Sequence, residues 1–260
     1  MKGIEMQCAL IVLAFGLAML LVERLAPGRH RERVRGWYPR AILLNVAQAA
    51  IAYLATATWD RWFPQLALWH LGGFGFLPDA LLGYVTITFI FYWWHRARHE
   101  IPFLWRWLHQ IHHSASRLEV LTSFYKHPIE IFINSILSPG ILYLLLGLNA
   151  QSAALAFLLT GVAELFYHWN VRTPHWLGYL IQRPESHCVH HQRGRHRNNY
   201  SDLPLWDMLF GTFENPRAQP RDCGFESNAE QRLGAMLIGR SAFAGPDRQR
   251  SERSASPSAS

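Results

Sequence analysis

Eight of the fourteen histidines in this chain fall into three short boxes. His95 and His99 form HxxxH, an i,i+4 pair that shares one face of a helix. His109, His112 and His113 form HxxHH, where i, i+3 and i+4 again face the same way. His187, His190 and His191 repeat HxxHH. HxxxH alone is a weak signal. At the histidine frequency of this chain, roughly 0.04 accidental HxxHH matches are expected, so two by accident come to about one in a thousand. Neutral imidazole suits iron, zinc, copper and nickel, and one structural zinc takes only four ligands. Eight or more histidines therefore point to two metal ions with open positions. Bis-imidazole haem would want single histidines deep in facing membrane helices, whereas these sit at helix ends. Cys8, Cys188 and Cys223 are too few and too scattered for a disulfide scaffold or a four-thiolate zinc site.

The elements that must position these rings read as membrane helices. Of 260 residues, 50% are hydrophobic and only 17% charged, against roughly 25% in an ordinary soluble domain. Residues 6–22 and 41–59 are uncharged runs long enough to span a bilayer core. Glu23-Arg24 close the first run, and no small-x-small cleavage site follows it, so an uncleaved anchor is expected. A third run, 80–94, is short and ends in Trp93-Trp94, which suits an interfacial belt. The fourth, 131–163, reads as a hairpin of helices over roughly 129–148 and 151–169, kinked at Pro139-Gly140. Pro64, Gly72, Gly73, Gly75 and Pro78 make 62–78 a partly embedded loop or short helix. The loop 25–40 carries Arg29, Arg31, Arg33, Arg35 and Arg40 against Glu32, which places it in the cytoplasm. Counting crossings from there puts all three boxes and the C-terminus on that same side, with His168 and His127 at the two cytoplasmic ends of the hairpin. The net charge of +7 thus reads as topology and attraction to anionic lipid, not as nucleic-acid binding. Residues 241–260, rich in Ser, are expected to be disordered.

With the boxes and spans in hand, the chain resembles the fatty acid hydroxylase/sterol desaturase superfamily of integral-membrane non-haem di-iron enzymes. The resemblance covers roughly 80–215. It rests on HRARH at 95–99, LHQIHHS at 108–114, HPIE at 127–130, FYHWN at 166–170, HCVHH at 187–191 and NNYSDLPLWDMLFGT at 198–212. The short gap between His99 and His109 also fits this superfamily better than the acyl-CoA desaturases. It implies metal-ligand roles for His95, His99, His109, His112, His113, His187, His190 and His191, with His168 as an additional ligand. Relatives carry a further histidine four residues after His168. Here that position is Arg172, which makes His127 the candidate substitute, with a structural role as its alternative. The resemblance implies two iron ions, dioxygen as co-substrate, and hydroxylation or desaturation of a lipid C–H bond, with no acid or base separate from the ligands.

The remaining residues are read more plainly. Asn199, Tyr200, Trp206 and Asp207 form either a turn with a packing anchor or a support behind the ligands. In the second reading a carboxylate takes a ring N–H and fixes its tautomer, and Asp207, Asp202, Glu185 and Glu164 are the candidates. Cys188 is filler. Arg193, Arg195 and Arg197 form a solvated, lipid-facing patch or dock an acidic electron carrier. His30, His70, His175 and His196 match no box and are expected to be ordinary loop or interface residues. No strand-GxGxxG-helix unit is present, so electrons must come from a separate ferredoxin- or cytochrome-type donor.

The expected fold is all-α, with about four transmembrane helices under a cytoplasmic helical cap that holds the metals. Its parts are N-terminal helices over 1–79, a catalytic domain over 80–215, and a partly disordered tail over 216–260. The expected function is a di-iron lipid hydroxylase or desaturase. An ether-lipid monooxygenase or carotenoid-type hydroxylase is the alternative within the class, and a His-rich metal transporter the alternative outside it. Transport sites place carboxylates or His at mid-span, and the runs 6–22, 41–59 and 131–163 contain neither.

Overall fold

The computed structural model describes residues 2–30 and 33–243, and among them the chain is helical with no strand. Arg31 and Glu32 of the basic loop, and the expected disordered end beyond Phe243, lie outside the described residues. Helix α1 spans Lys2–Leu25, α2 Trp37–Ala57 and α3 Phe76–Glu100. A short α4, Gln110–Ser114, follows, and then the hairpin of α5, Pro128–Pro139, and α6, Ala150–His168. Helix α7, Pro184–His190, α8, Pro204–Leu209, α9, Ser227–Glu230, and α10, Leu233–Leu237, complete the order.

Among the described residues, four stretches are long and apolar enough to cross a membrane: Trp37–Leu66, Phe76–Glu100, Pro128–Leu145 and Ala150–His168. They contain the second, third and fourth apolar runs of the sequence. The first run lies in α1, whose Leu10, Leu13, Leu17 and Leu21 point outward. So do Ile42, Leu43, Val46 and Leu54 of α2. Such apolar surface would be a liability in water, whereas in lipid it costs nothing.

Small residues let α3 and α6 pack closely. Gly83 sits where a Cβ would come within 2.8 Å of Leu142 and 3.3 Å of Ala156, the close approach expected where lipid supplies no hydrophobic drive. Around it Ile87, Ile141, Leu142, Tyr143, Leu148 and Ala153 fill the bundle core. The hairpin is punctuated as its residues require. His127 caps α5 by accepting from Ile129 N, Pro128 takes the first helical position, and Pro139 hands over to a π-helical turn at Gly140–Leu145. Asn149 caps α6 through its side chain, which accepts from the backbone of Gln151 and Ser152.

One end of the bundle carries all the machinery. The C-terminal ends of α1, α3 and α6 and the N-terminal ends of α2 and α5 meet there. Glu23 of α1 accepts from Val120 N and Asn170 N, and Glu119 accepts from Trp37 Nε1 of α2 at 2.7 Å. Residues 101–127 and 170–243 form a cap of short helices over this end. Residues 216–243, expected as part of a tail, are built into that cap. Phe225, Ala229, Leu233 and Met236 are buried with Trp37, Leu44, Ile111 and Tyr125, and Glu230 pairs with Arg40 at 3.2 Å.

Candidate metal centre

Helix α3 continues past its apolar stretch for one more turn and a half, carrying His95 and His99 out of the bundle on one face. A π-helical turn at Trp105–His109 then aims His109 toward them, and α4 adds His112 and His113 one turn on. π-turns are rare and tend to mark functional sites, because the extra residue re-aims a side chain. His168 ends α6, and α7 brings His187 and His190, with His191 at its end. The C-terminal ends of α3 and α6 point their negative dipole ends at this place, which favours cations.

The nine histidines fall into two groups. His95, His99, His109, His113 and His190 form one, and His112, His168, His187 and His191 the other, and within each group the ligand nitrogens lie within 4.8 Å of one another. The groups adjoin, with the His113 and His191 rings stacked at 4.1 Å. Burial holds the imidazoles of His109, His112, His113, His187 and His191 well below the ordinary histidine value, and neighbouring histidines add to it. Burial likewise brings His190 down to about 3. All six are neutral at pH 7, the state a metal requires.

Hydrogen bonds decide which nitrogen each ring offers. His95 Nδ1 meets the carbonyl of Tyr200 at 2.7 Å, His99 Nδ1 that of His196 at 2.7 Å, and His190 Nδ1 that of Asn198 at 2.6 Å. A carbonyl only accepts, so these rings carry their proton on Nδ1. His109 Nδ1 faces the Glu130 carboxylate at 3.1 Å. Arg98 Nη1 stands 3.1 Å from the same nitrogen and ion-pairs with Glu130, so ring, carboxylate and guanidinium form one buried cluster. His168 Nδ1 meets the carbonyl of Glu164 at 2.8 Å.

The Nε2 atoms of His95 and His168, left bare by those carbonyl bonds, are thereby turned toward other rings. His95 Nε2 lies 2.9 Å from His109 Nε2. His168 Nε2 lies 3.0 Å from His187 Nε2 and 3.4 Å from His112 Nε2. Two nitrogens bound at right angles to one ion sit about 3 Å apart, a spacing that these pairs match. The buried Nε2 atoms of His99, His113 and His190 meet no hydrogen-bonding partner among the described residues. The residues present fit metal ions in both groups.

The segment 196–200 that supplies three of these carbonyls is itself fastened down. His196, Asn198 and Asn199 all have left-handed backbones, at φ 43°, 70° and 51°. Asp207 accepts from Tyr200 N and Ser201 N, at 2.8 and 3.0 Å. Burial, partly offset by Thr212 and these backbone bonds, pushes its carboxyl up to about 6. Asn199 donates to the carbonyls of Ser186 and Glu214 and accepts from Glu214 N. Asn199, Tyr200 and Asp207 thus hold the histidine rings through backbone, not through a carboxylate on a ring.

The carboxylate that does touch a ring is Glu130, which the sequence reading passed over inside HPIE. Glu185 instead binds Thr173, and the Glu164 carboxylate pairs with Lys126. His127 lies outside both groups. Its Nδ1 caps α5 and its Nε2 donates to the Leu237 carbonyl at 3.2 Å, so neither nitrogen faces the centre. His196, expected to be an ordinary loop residue, reaches it: its Nδ1 lies 3.2 Å from His113 Nδ1. Arg172 donates to the Gly28 carbonyl. Arg195 pairs with Glu214 and Arg193 with the Cys223 carbonyl, which leaves Arg197 as the exposed member of that series.

The family model for fatty acid hydroxylases matches residues 80–212, the stretch that supplies all nine rings. The chain belongs to the fatty acid hydroxylase family. An ornithine lipid hydroxylase of Rhizobium tropici is 32% identical over 206 residues, 77% of this chain and 57% of that one. A very-long-chain aldehyde decarbonylase of Oryza sativa subsp. indica is 28% identical, over 77% of this chain and 32% of its own length. Alkylglycerol monooxygenase of Homo sapiens is 32% identical, over 52% and 30%. The chain thus spans between about a third and just over half the length of these relatives. No solved structure matches it.

Proposed function

We propose that this protein is a membrane-bound oxidoreductase that uses two iron ions and dioxygen to hydroxylate a C–H bond of a lipid. The observation that carries the reading is the pair of neutral histidine groups, five and four rings, gathered at one end of apolar helices. Iron held there would supply the reduction of dioxygen and the removal of hydrogen from an unactivated C–H bond. The chain's own part is to fix the rings, keep them unprotonated and dry, and let a lipid reach them from the bilayer. No residue outside the ligands is assigned as acid or base. Electrons come from an external ferredoxin- or cytochrome-type donor. In this reading the site and the C-terminus face the cytoplasm, which the excess of arginine in loop 25–40 supports through the positive-inside rule.

The similarity to an ornithine lipid hydroxylase over 77% of the chain makes polar membrane lipids, an ornithine lipid first, the substrates to try. Alkylglycerol monooxygenase makes an ether lipid the second. Desaturation at the same centre remains the alternative outcome. Protein reconstituted with donor and lipid should consume dioxygen, and label from ¹⁸O₂ should appear in a hydroxylated product. Product without label would assign desaturation. Metal-dependent zinc flux in sealed vesicles, with no oxygen-dependent product from cellular lipid extract, would replace the enzyme with a transporter.

A further inference from the structure

The two histidine groups are supported from behind in very different ways. In the five-histidine group every ring has a partner for the nitrogen that faces away. His99, His190 and His95 meet the carbonyls of residues 196, 198 and 200, His113 meets the His196 ring, and His109 meets Glu130. Four of these five partners come from one five-residue segment whose alternate carbonyls all face the centre. In the four-histidine group His168 alone has such a partner. The Nδ1 atoms of His112, His187 and His191 are buried and meet none among the described residues.

We propose, building on the dimetal reading above, that the two groups hold metal with unequal strength: the five-histidine group tightly, the four-histidine group exchangeably. A ring whose outer nitrogen is fixed presents its other nitrogen in one tautomer and one orientation, so little freedom is lost when an ion binds. Outer partners of this kind are each worth about 10–100-fold in metal affinity. Three of the four rings in the second group must find their tautomer and angle as the ion arrives. Residues 196–200 are positioning residues in this scheme. Their left-handed backbone at His196, Asn198 and Asn199 is what turns the three carbonyls the same way.

The test uses the full chain in mild detergent, loaded anaerobically with iron(II) and, in parallel, with redox-silent zinc(II). Metal per chain is then counted during titration with a chelator. One ion should leave at a chelator concentration at least about 10-fold below that needed for the other. His187→Ala should abolish the early-leaving ion and spare the retained one, and His99→Ala the reverse. Asn198→Val, β-branched where φ is 70°, should bring the two releases together. Asn198→Gly, which adopts that φ freely, should keep them apart. Two ions leaving together from the wild-type chain, or an ion retained by His99→Ala and not by His187→Ala, overturns the proposal while leaving the dimetal reading standing. A wild-type chain that takes up neither metal overturns both.

Discussion

An imidazole that donates its Nδ1 proton to a carbonyl has only Nε2 left to offer, and that single fact orients four of the nine rings, His95, His99, His168 and His190. A side chain with no donor atom for a metal cannot replace a ligand. His190→Ala and His112→Ala, one from each group, should lower oxygen-dependent product formation by at least about 100-fold, with membrane insertion unchanged. His30→Ala and His175→Ala should retain activity. A fully active His112 variant would remove its ligand role. The same burial sets a pH response. His190 and His196 have folded-state values of about 3 and about 4, set by burial, below the ordinary 6.5. Between those limits the unfolded chain takes up protons that the folded chain refuses, so the stability of the metal-free protein rises with pH through that window and falls as acid is added. Its thermal midpoint should be lower at about pH 5.5 than at about pH 7.5, and equal midpoints would count against neutral burial. At this scale the boxes were legible because repeated spacing is a signal. His196 was not, because a lone histidine among arginines has no spacing to read. Glu130 was passed over because attention in HPIE went to its histidine. The carbonyls of 196, 198 and 200 carry no side-chain identity at all, although the Asn198-Asn199 pair, tolerant of left-handed backbone, hinted at a special turn.

Short elements, more than the spans, set the precision of the site. The uncharged apolar run covers 80–94, yet α3 extends from Phe76 to Glu100 because the polar His95–Glu100 turn stays helical. Residues 216–243 carry no histidine box and no long apolar run, and so read as a tail. Their few apolar residues, Phe225, Leu233 and Met236, nonetheless fill the cap core, and a core built from so few positions leaves little pattern in the sequence. Gly224 shows how tightly this segment is set. It has φ 73°, donates to the His191 carbonyl at 2.9 Å, and leaves no room beside Ala115, whose oxygen would lie 2.3 Å from an added Cβ. Gly224→Ala should therefore cost about 2 kcal/mol or more of stability, seen as a lower unfolding midpoint. An unchanged midpoint would mean that the segment is not held as described. Gly73, also at positive φ but with open space around it, offers the matched control: alanine there meets backbone strain and no clash.

For the molecule as a whole, the meeting of three helix C-termini and two N-termini at one end is the geometric counterpart of the crossing count made from the arginines. It gathers all nine histidines and the cap at one end of the bundle, together with the helix ends that flank loop 25–40. A reporter fused after Arg35 and one after Ser241 should give the same side, the cytoplasm, and reporters within 60–78 or at Asn149 the opposite side. Discordant results from the first two would break the shared-compartment argument. The order in which the chain is made then acquires a meaning. Gly224 and Phe225 are the residues that tie His191 and Ser114 together, through bonds to their two carbonyls at 2.9 and 3.1 Å. During translation both HxxHH boxes emerge before that tie exists. The membrane helices can therefore be inserted while the boxes are still unjoined, and the centre locks only after residues 224 and 225 have left the ribosome. On the dimetal reading, metal delivery should follow that tie, not precede it.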